Sequence, residues 1–321
     1  MNQILPPFVL HILPRASMTW NKFLESTPPC SIALDGVVSG APKFDPDTNH
    51  INCNHHDDVV REATMSTAMQ IYFAIKGCMM ARMLATGLKI NVYINDTDQD
   101  SSLAVWLIIN HNKFEGTQSV PHLGRLITLN DRWDITGGAF PMALDNLIIE
   151  QHNWVFRPYT DLRKSGALAT ANEFVLRDNL SAIMGRLDSY FMGQSLSIPL
   201  DIRHIILYDS PDYKIVDEIG GSEARHFLFS HGLNAFISKV ATRPDGKFVY
   251  SIGRRSQYID FPVKELYDDL NMIEGLDRAQ GWNGSDIVGG SPRELGSSLG
   301  WEEIKEVVNK RLGTMKNSAA H

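Results

Sequence analysis

The chain has 321 residues, and at roughly 150 residues per domain this length suggests two domains. Hydrophobic residues make up 43% and charged residues 21%, which excludes a mainly disordered, collagen-like or coiled-coil protein. The formal net charge of -7 argues against a broad basic surface for long duplex nucleic acid. A small phosphorylated substrate remains compatible with that charge if metal ions supply positive charge. Three cysteines without a C-x-x-C pair and only short apolar runs predict a cytoplasmic protein without disulfides or membrane spans.

The first half of the chain alternates strands, loops and helices, a pattern that predicts parallel strands covered by helices. Alternating or apolar runs rich in β-branched residues mark the strands, and apolar residues at helical spacing mark the helices. The predicted elements are strands at 31–34, 50–53 and 89–94, one long helix at 59–86, a helix at 101–110, a strand or helix end at 123–129, and a mostly helical stretch at 141–192.

A segment containing Ser, Gly and Pro at 193–199 predicts a linker, so the domains are expected at 1–195 and 196–321. The second part is predicted to contain strands at 202–208, 213–218, 234–241 and 248–252, helices at 223–230, 263–273 and 302–312, and a glycine-rich loop at 281–300. The expected fold class is α/β. A parallel-sheet N-terminal domain with covering helices precedes a smaller mixed α/β C-terminal domain.

Acidic and histidine side chains follow three of the predicted strands. Ligands in open α/β sheets bind at the carboxyl ends of the strands, so groups that lie far apart in sequence are expected to converge there. The groups are Asp35 after the first strand, His55, His56, Asp57 and Asp58 after the second, Asp96, Asp98 and Asp100 after the third, and the pair Asp131 and Asp134 after the next element.

Several carboxylates in one crevice repel one another, and divalent cations remove that penalty. A mixture of imidazole nitrogen and carboxylate oxygen fits manganese, iron or zinc better than magnesium alone. Two such cations could clamp a phosphate and lower the pKa of a bridging water. The alternatives are structural: an N-cap for Asp100, solvated turns for Asp96 and Asp98, a surface pair for His55 and His56, and helix caps or turns for the remaining acids.

Two segments of the second part point to an anion. The glycine-rich loop lets backbone N–H groups approach an anion closely, and Arg293 adds a positive charge there. Upstream, Arg254, Arg255 and Ser256 follow a predicted strand with two cations and a hydroxyl. Together these segments predict a phosphate or nucleotide site, with ordinary turns and surface charge as the alternatives.

At these residues the sequence resembles the DHH phosphoesterase superfamily. Asn54-His55-His56 after a strand is similar to its Asp-His-His motif, and residues 96–100 followed by Ala104 are similar to its His-x-Asp-x-Asp motif. Asp131 resembles a later single-Asp ligand. Arg255-Ser256, followed by a helix and Gly289-Gly290, resembles the DHH-associated C-terminal domain, which uses an Arg-Ser pair and a glycine-rich loop to hold substrate.

The chain departs from the family pattern at Asn54, Asp96 and Ser291, where the family has Asp, His and His. The His-His element also precedes the Asp-x-Asp element. These departures motivate an alternative in which the same fold carries a catalytically reduced nucleotide-binding or regulatory protein. A further alternative is an assembly protein whose acids serve only as caps.

The resemblance implies metal-dependent hydrolysis of a phosphoester or phosphodiester in a small nucleotide or short oligonucleotide by a metal-activated water. The implied cofactor is a divalent metal of the Mn²⁺ type, with two ions as one arrangement, and a homodimer is one candidate assembly. The implied metal ligands are His55, Asp35, Asp96, Asp98, Asp100 and Asp131. His56 and Asp98 are the implied catalytic residues, and the implied substrate-binding residues are Arg254, Arg255, Ser256, Gly289, Gly290, Ser291 and Arg293.

Overall fold

The computed structural model describes residues 7–144, 146–278, 280–292 and 294–319. The chain is mixed α/β with two mixed sheets and divides into two compact units. One unit comprises the residues up to 135 together with 145–199, and the other comprises 136–144 together with the residues from 200 onward. None of the described helices is both long and apolar enough to cross a bilayer.

The first unit consists of one sheet and a set of helices. Its elements are β1 (Phe8–Ile12), α1 (Trp20–Ser26), β2 (Ser31–Leu34), β3 (Lys43–Asp45), β4 (His50–Cys53), α2 (Thr67–Lys76), α3 (Met79–Leu84), β5 (Ile90–Ile94), α4 (Gln99–Ile109), α5 (Pro121–Ile135), α6 (Leu147–Lys164) and α7 (Glu173–Phe191). Single 3₁₀ turns lie at Arg61–Ala63, His111–Lys113 and Ala167–Thr170.

The sheet of the first unit has the order β1-β5-β2-β4-β3. The first four strands of that order pair in parallel, and β3 pairs antiparallel with β4 at the edge. Every residue of β2 and β5 is buried, as expected when packed side chains cover both faces of a strand. Ile32, Val92, Ile71 and Trp106 belong to the same core cluster, which joins the sheet to α2 and α4.

Residues 59–86 do not form the single helix that the apolar spacing predicts. A 3₁₀ turn at Arg61–Ala63 comes first, and α2 begins only after Ser66, whose side chain caps it. The helix ends at Gly77, and Cys78 has a φ of 70°, in the left-handed region that an α-helix cannot continue through. Apolar residues recur on both sides of this break, so periodicity alone does not reveal it.

The stretch 123–129, predicted as a strand or helix end, lies inside α5. Asp131 and Asp134 therefore occupy the last turns of a helix instead of following an element. At a spacing of three residues the two carboxylates share one face of that helix.

The stretch 141–192 contains the two long helices α6 and α7, which pack against each other. Pro158 lies inside α6 and lacks the N–H that would bond the carbonyl of Trp154. Arg186 of α7 fills this gap, because its guanidinium donates a hydrogen bond to Trp154 O at 2.5 Å and lies over the Trp154 ring.

The second unit has one six-stranded sheet of order β10-β11-β9-β8-β7-β6. Its elements are β6 (Ile205–Asp209), β7 (Lys214–Asp217), α8 (Ser222–Ser230), β8 (Ala235–Thr242), β9 (Phe248–Arg254), α9 (Val263–Glu274), β10 (Asn283–Gly284), β11 (Val288–Gly290) and α10 (Trp301–Ala319). Strands β7 and β8 pair in parallel and the other neighbours pair antiparallel.

The glycine-rich stretch 281–300 is not simply a loop, because it contributes β10 and β11 to the sheet. Glu274, the last residue of α9, holds both ends of this stretch. Its carboxylate accepts hydrogen bonds from Trp282 Nε1 at 2.6 Å, from Ser297 Oγ at 3.0 Å and from Ser298 N at 2.7 Å.

Candidate metal centre

Acidic and histidine side chains meet beyond the carboxyl ends of β2 and β4, and α4 and α5 complete the cluster. His55 Nε2 lies 3.4 Å from Asp35 Oδ1, 2.8 Å from Asp134 Oδ2 and 3.8 Å from Asp100 Oδ2. His56 Nε2 lies 2.5 Å from Asp35 Oδ1. Two groups of potential ligand atoms result, one from Asp35, His55 and His56 and one from His55, Asp100 and Asp134. Within each group the atoms lie within 4.8 Å of one another.

His55 is completely buried, yet neither of its ring nitrogens has a hydrogen-bond partner among the described residues. Asp134 Oδ2 is also buried, and no described group donates a hydrogen bond to it. The 2.8 Å contact between His55 Nε2 and this oxygen is short, but it does not have the geometry of a hydrogen bond. Buried polar atoms are almost always hydrogen-bonded, so such a pair needs an explanation, and a cation that accepts a lone pair from each atom provides one.

The charged groups of the cluster shift one another's pKa values. Burial acts to raise the pKa of Asp35, but the close contact with His55, the hydrogen bond from His56 and the charge of both rings hold this pKa well below the usual value. Burial acts to lower the pKa of His55, but the carboxylates of Asp134 and Asp35 raise it to about 10. Burial, together with repulsion from Asp134 and Asp35, raises the pKa of Asp100 well above the usual value. A divalent cation would remove this repulsion among the carboxylates.

Asp100 is anchored by three donors at the start of α2 and on α5. One of its oxygens accepts from Thr67 N at 2.6 Å, and the other accepts from Ala68 N at 3.0 Å and from Asn130 Nδ2 at 2.9 Å. The N-cap interpretation given to Asp100 from sequence is wrong, because Asp98 caps α4 by accepting from Ser101 N.

Asp98 lies close to the cluster although it belongs to neither group of ligand atoms. Burial, followed by repulsion from Asp35 and Asp96, raises the pKa of Asp98 well above the usual value. An ionised Asp98 would therefore add to the negative charge that a cation neutralises.

Two expected ligands have other partners. Asp96 Oδ2 accepts from Tyr159 Oη at 2.9 Å and Asp96 Oδ1 accepts from Thr97 N, and Asp131 Oδ1 accepts from Ser66 N at 2.8 Å. Among the described residues, neither joins the two groups of ligand atoms. Asp134, which shares a face of α5 with Asp131, is the carboxylate nearest to His55. The helical spacing of Asp131 and Asp134 could have suggested Asp134 as an alternative ligand, but it could not decide between the two acids.

Asn54 has a structural role at the position where the resembled family has its first Asp. Its amide donates to Gly40 O at 3.1 Å and to Asp57 Oδ2 at 2.9 Å, and its oxygen accepts from the backbone N–H of His56 at 3.0 Å. An Asp cannot make the first two of these bonds because an ionised carboxylate has no donor. Asn54 thus holds the turn that presents His55 and His56.

The second unit contains the residues predicted to bind substrate. Arg254 is committed to the fold, since it donates to the backbone carbonyls of Asp286 and Ile259 at 2.9 Å each. Arg255 differs, because its half-buried guanidinium has no hydrogen bond or ion pair with the described part of the chain. Ser256 Oγ accepts from Tyr258 N at 3.3 Å. Arg255 is therefore the cation of this segment that remains available to an anion.

Gly289 and Gly290 lie in β11, where packing explains the absence of side chains. A Cβ on Gly289 would lie 2.1 Å from Tyr267 Oη, and one on Gly290 would lie 2.5 Å from Tyr250 O. Ser291 is buried, and its hydroxyl accepts from Tyr250 N at 2.9 Å. Arg293 lies outside the described residues.

No family model matches this chain, and a search of curated proteins finds no match. The resemblance in the motifs and the geometry of the cluster are therefore the two sources for a functional proposal.

Proposed function

We propose that this protein is a metal-dependent phosphoesterase or phosphodiesterase that acts on a small nucleotide or short oligonucleotide. The observation that carries the proposal is the buried contact between His55 Nε2 and Asp134 Oδ2, which lie 2.8 Å apart and have no hydrogen bond within the described part of the chain. The carboxylates of Asp35 and Asp100 lie beside it. This donor set of imidazole and carboxylate groups fits manganese, iron or zinc, and Mn²⁺ is the proposed ion.

Divalent cations bound there would polarise a phosphoryl group and lower the pKa of an attacking water. Each protein side chain then has a definite task. Asp35 orients the His56 ring, because Asp35 Oδ1 lies 2.5 Å from His56 Nε2 and accepts its hydrogen bond. The second nitrogen, Nδ1, is left as an acceptor on a side chain that is 38% exposed. His56 is therefore placed to accept a proton from water or, once protonated, to contact a phosphate oxygen.

The proposed substrate is small because the chain carries a formal net charge of -7 and no basic stripe. Arg255 supplies a guanidinium that makes no hydrogen bond or ion pair with the residues that the structure describes, which suits it to a phosphate. Its neighbour Arg254 is not assigned this role, because its donors are used by backbone carbonyls.

The experiment is a hydrolysis assay on protein first stripped with a chelator and then supplied with Mn²⁺. Bis-p-nitrophenyl phosphate and a set of dinucleotides are the substrates, and Asp134→Asn is the test variant. Asp161→Asn, which removes an exposed carboxylate paired with Arg157, is the charge-matched control. We expect Mn²⁺-dependent turnover that Asp134→Asn abolishes and Asp161→Asn preserves. No turnover and no bound Mn²⁺ in the parent protein would refute the proposal.

A second candidate function is nucleotide binding without hydrolysis. Two family departures support it: Asn54 is bound to backbone and Asp57, and Ser291 is buried in a bond to Tyr250 N. Calorimetry with dinucleotides, combined with product analysis of the same samples, separates the two functions. Heat of binding with no product in the presence of Mn²⁺ would select the binding protein.

A further inference from the structure

A chain of buried hydrogen bonds connects α6 to the metal centre. His152 Nε2 lies 3.1 Å from Asn130 Oδ1, and Asn130 Nδ2 donates to Asp100 Oδ1 at 2.9 Å. All three side chains are at most 1% exposed. They come from three different helices, α6, α5 and α4, so this contact is made only in the folded unit.

We propose that Asn130 and His152 are positioning residues that aim the carboxylate of Asp100 at the metal centre. This inference rests on the proposed metal site. The direction of each bond follows from the chemistry of the groups. Asp100 needs a donor, so the amide nitrogen of Asn130 faces it, and the amide oxygen faces His152. His152 must then carry its proton on Nε2, and the orientation of the amide is set from both ends.

The consequence for Asp100 lies in the rotation of its carboxylate. One oxygen, Oδ1, accepts hydrogen bonds from Asn130 Nδ2 and Ala68 N, while Oδ2 accepts one from Thr67 N and no other from a described residue. Oδ2 is also the atom that faces His55 Nε2 at 3.8 Å. The terminal torsion of Asp is broad, so a carboxylate that loses a donor on Oδ1 can turn away from this orientation. The bond from Asn130 thus keeps a lone pair of Oδ2 directed into the site.

His152 also supports the helix turn that carries the second acid. Its ring packs edge-on against Trp133 at 5.3 Å and lies 4.6 Å from Phe156. Trp133 immediately precedes Asp134 in α5. The imidazole of His152 therefore supports Asp100 indirectly, through its hydrogen bond to Asn130, and supports the helix turn of Asp134 through packing against Trp133. A role for α6, which carries no recognisable motif, follows from these contacts.

The test compares metal affinity with thermal stability in the full chain. His152→Leu removes the donor to Asn130, whereas His152→Gln retains an amide N–H donor that can rescue it. Asn153→Ala is the matched control, because Asn153 is the next residue on α6 and is also buried. Its side chain instead donates to the carbonyls of Ile198 and Pro199. Mn²⁺ binding is followed by the electron paramagnetic resonance signal of the free ion, and unfolding is followed by circular dichroism.

We expect His152→Leu to weaken Mn²⁺ binding by about 10- to 100-fold, as for other residues that orient a metal ligand. His152→Gln should recover most of this loss, and Asn153→Ala should lower the melting temperature while leaving Mn²⁺ affinity unchanged. If His152→Leu binds Mn²⁺ as tightly as the parent protein, or if Asn153→Ala loses as much Mn²⁺ affinity as His152→Leu, the positioning role of Asn130 and His152 is overturned and the proposed function is not. Failure of the parent protein to bind Mn²⁺ would overturn the proposed function and this inference with it.

Discussion

Replacing Asp98 by Asn separates the two roles of this side chain, its N-cap of α4 and its negative charge. Asp98 Oδ1 caps α4 by accepting from Ser101 N at 2.8 Å. Asn is as good an N-cap as Asp, so Asp98→Asn should keep this bond and the start of α4. The substitution therefore removes the negative charge and little else.

The expected sign depends on whether a cation is present. In the metal-free protein, burial and repulsion from Asp35 and Asp96 raise the pKa of Asp98 well above the usual value. The folded state thus disfavours the ionised form, and this charge costs stability as the pH rises above the unfolded pKa of about 3.9. Two unit charges 4 Å apart repel by about 4 kcal/mol at an effective dielectric constant of about 20.

Because protonation and water relieve part of that repulsion, we expect Asp98→Asn to stabilise the metal-free protein by roughly 1 to 3 kcal/mol. In excess Mn²⁺ this gain in stability should shrink, because a bound cation loses a neighbouring carboxylate charge in the variant. A tenfold loss of affinity removes about 1.4 kcal/mol of the stabilisation that bound metal provides.

The assay is thermal unfolding of both proteins in a chelator and in saturating Mn²⁺. Each kcal/mol corresponds to a shift in melting temperature of about 2 to 4 °C for a unit of this size. We expect a higher melting temperature than the parent in chelator and a smaller rise on adding Mn²⁺. Identical melting temperatures under both conditions would show that Asp98 is only an N-cap and would refute the electrostatic reasoning.

Three further predictions concern the metal centre and the second unit. Asp134→Asn should weaken Mn²⁺ binding by at least about tenfold in calorimetry, whereas Asp131→Asn should keep most of it, and equal losses would contradict the geometry. Gly289→Ala should destabilise the second unit by about 1 to 3 kcal/mol in urea, because its Cβ would lie 2.1 Å from Tyr267 Oη; an unchanged midpoint would disprove this packing. His226 donates a hydrogen bond to Gly138 O, and burial lowers the pKa of its imidazole. The stabilising contribution of neutral His226 is therefore present above the unfolded pKa of about 6.5, and it is lost as the pH falls through the lower folded pKa. His226→Asn should reduce this acid-side loss of stability between about pH 7 and pH 5, and parallel pH curves for both proteins would assign the loss to another group.

Local sequence pattern was sufficient for several elements of the first unit. The strands at 31–34 and 50–53 form with the expected bounds, and the strand at 89–94 begins one residue later. Their parallel pairing places the polar residues that follow them at one edge, so the approach of Asp35 to His55 followed from pattern and topology together. Pattern failed across 59–86, because a single left-handed residue ends a helix without disturbing the apolar spacing around it.

The identity of the carboxylate that faces His55 was decided only by tertiary packing. Asp131 and Asp134 share one face of α5, and the backbone N–H of Ser66 takes up the first of them. The sequence pattern also did not predict the roles of Asn130 and His152, because a hydrogen bond between helices depends on how those helices pack and not on spacing along the chain. The sequence shows which potential metal ligands the chain carries. The directions of their lone pairs are set only when separate helices and strands pack against one another.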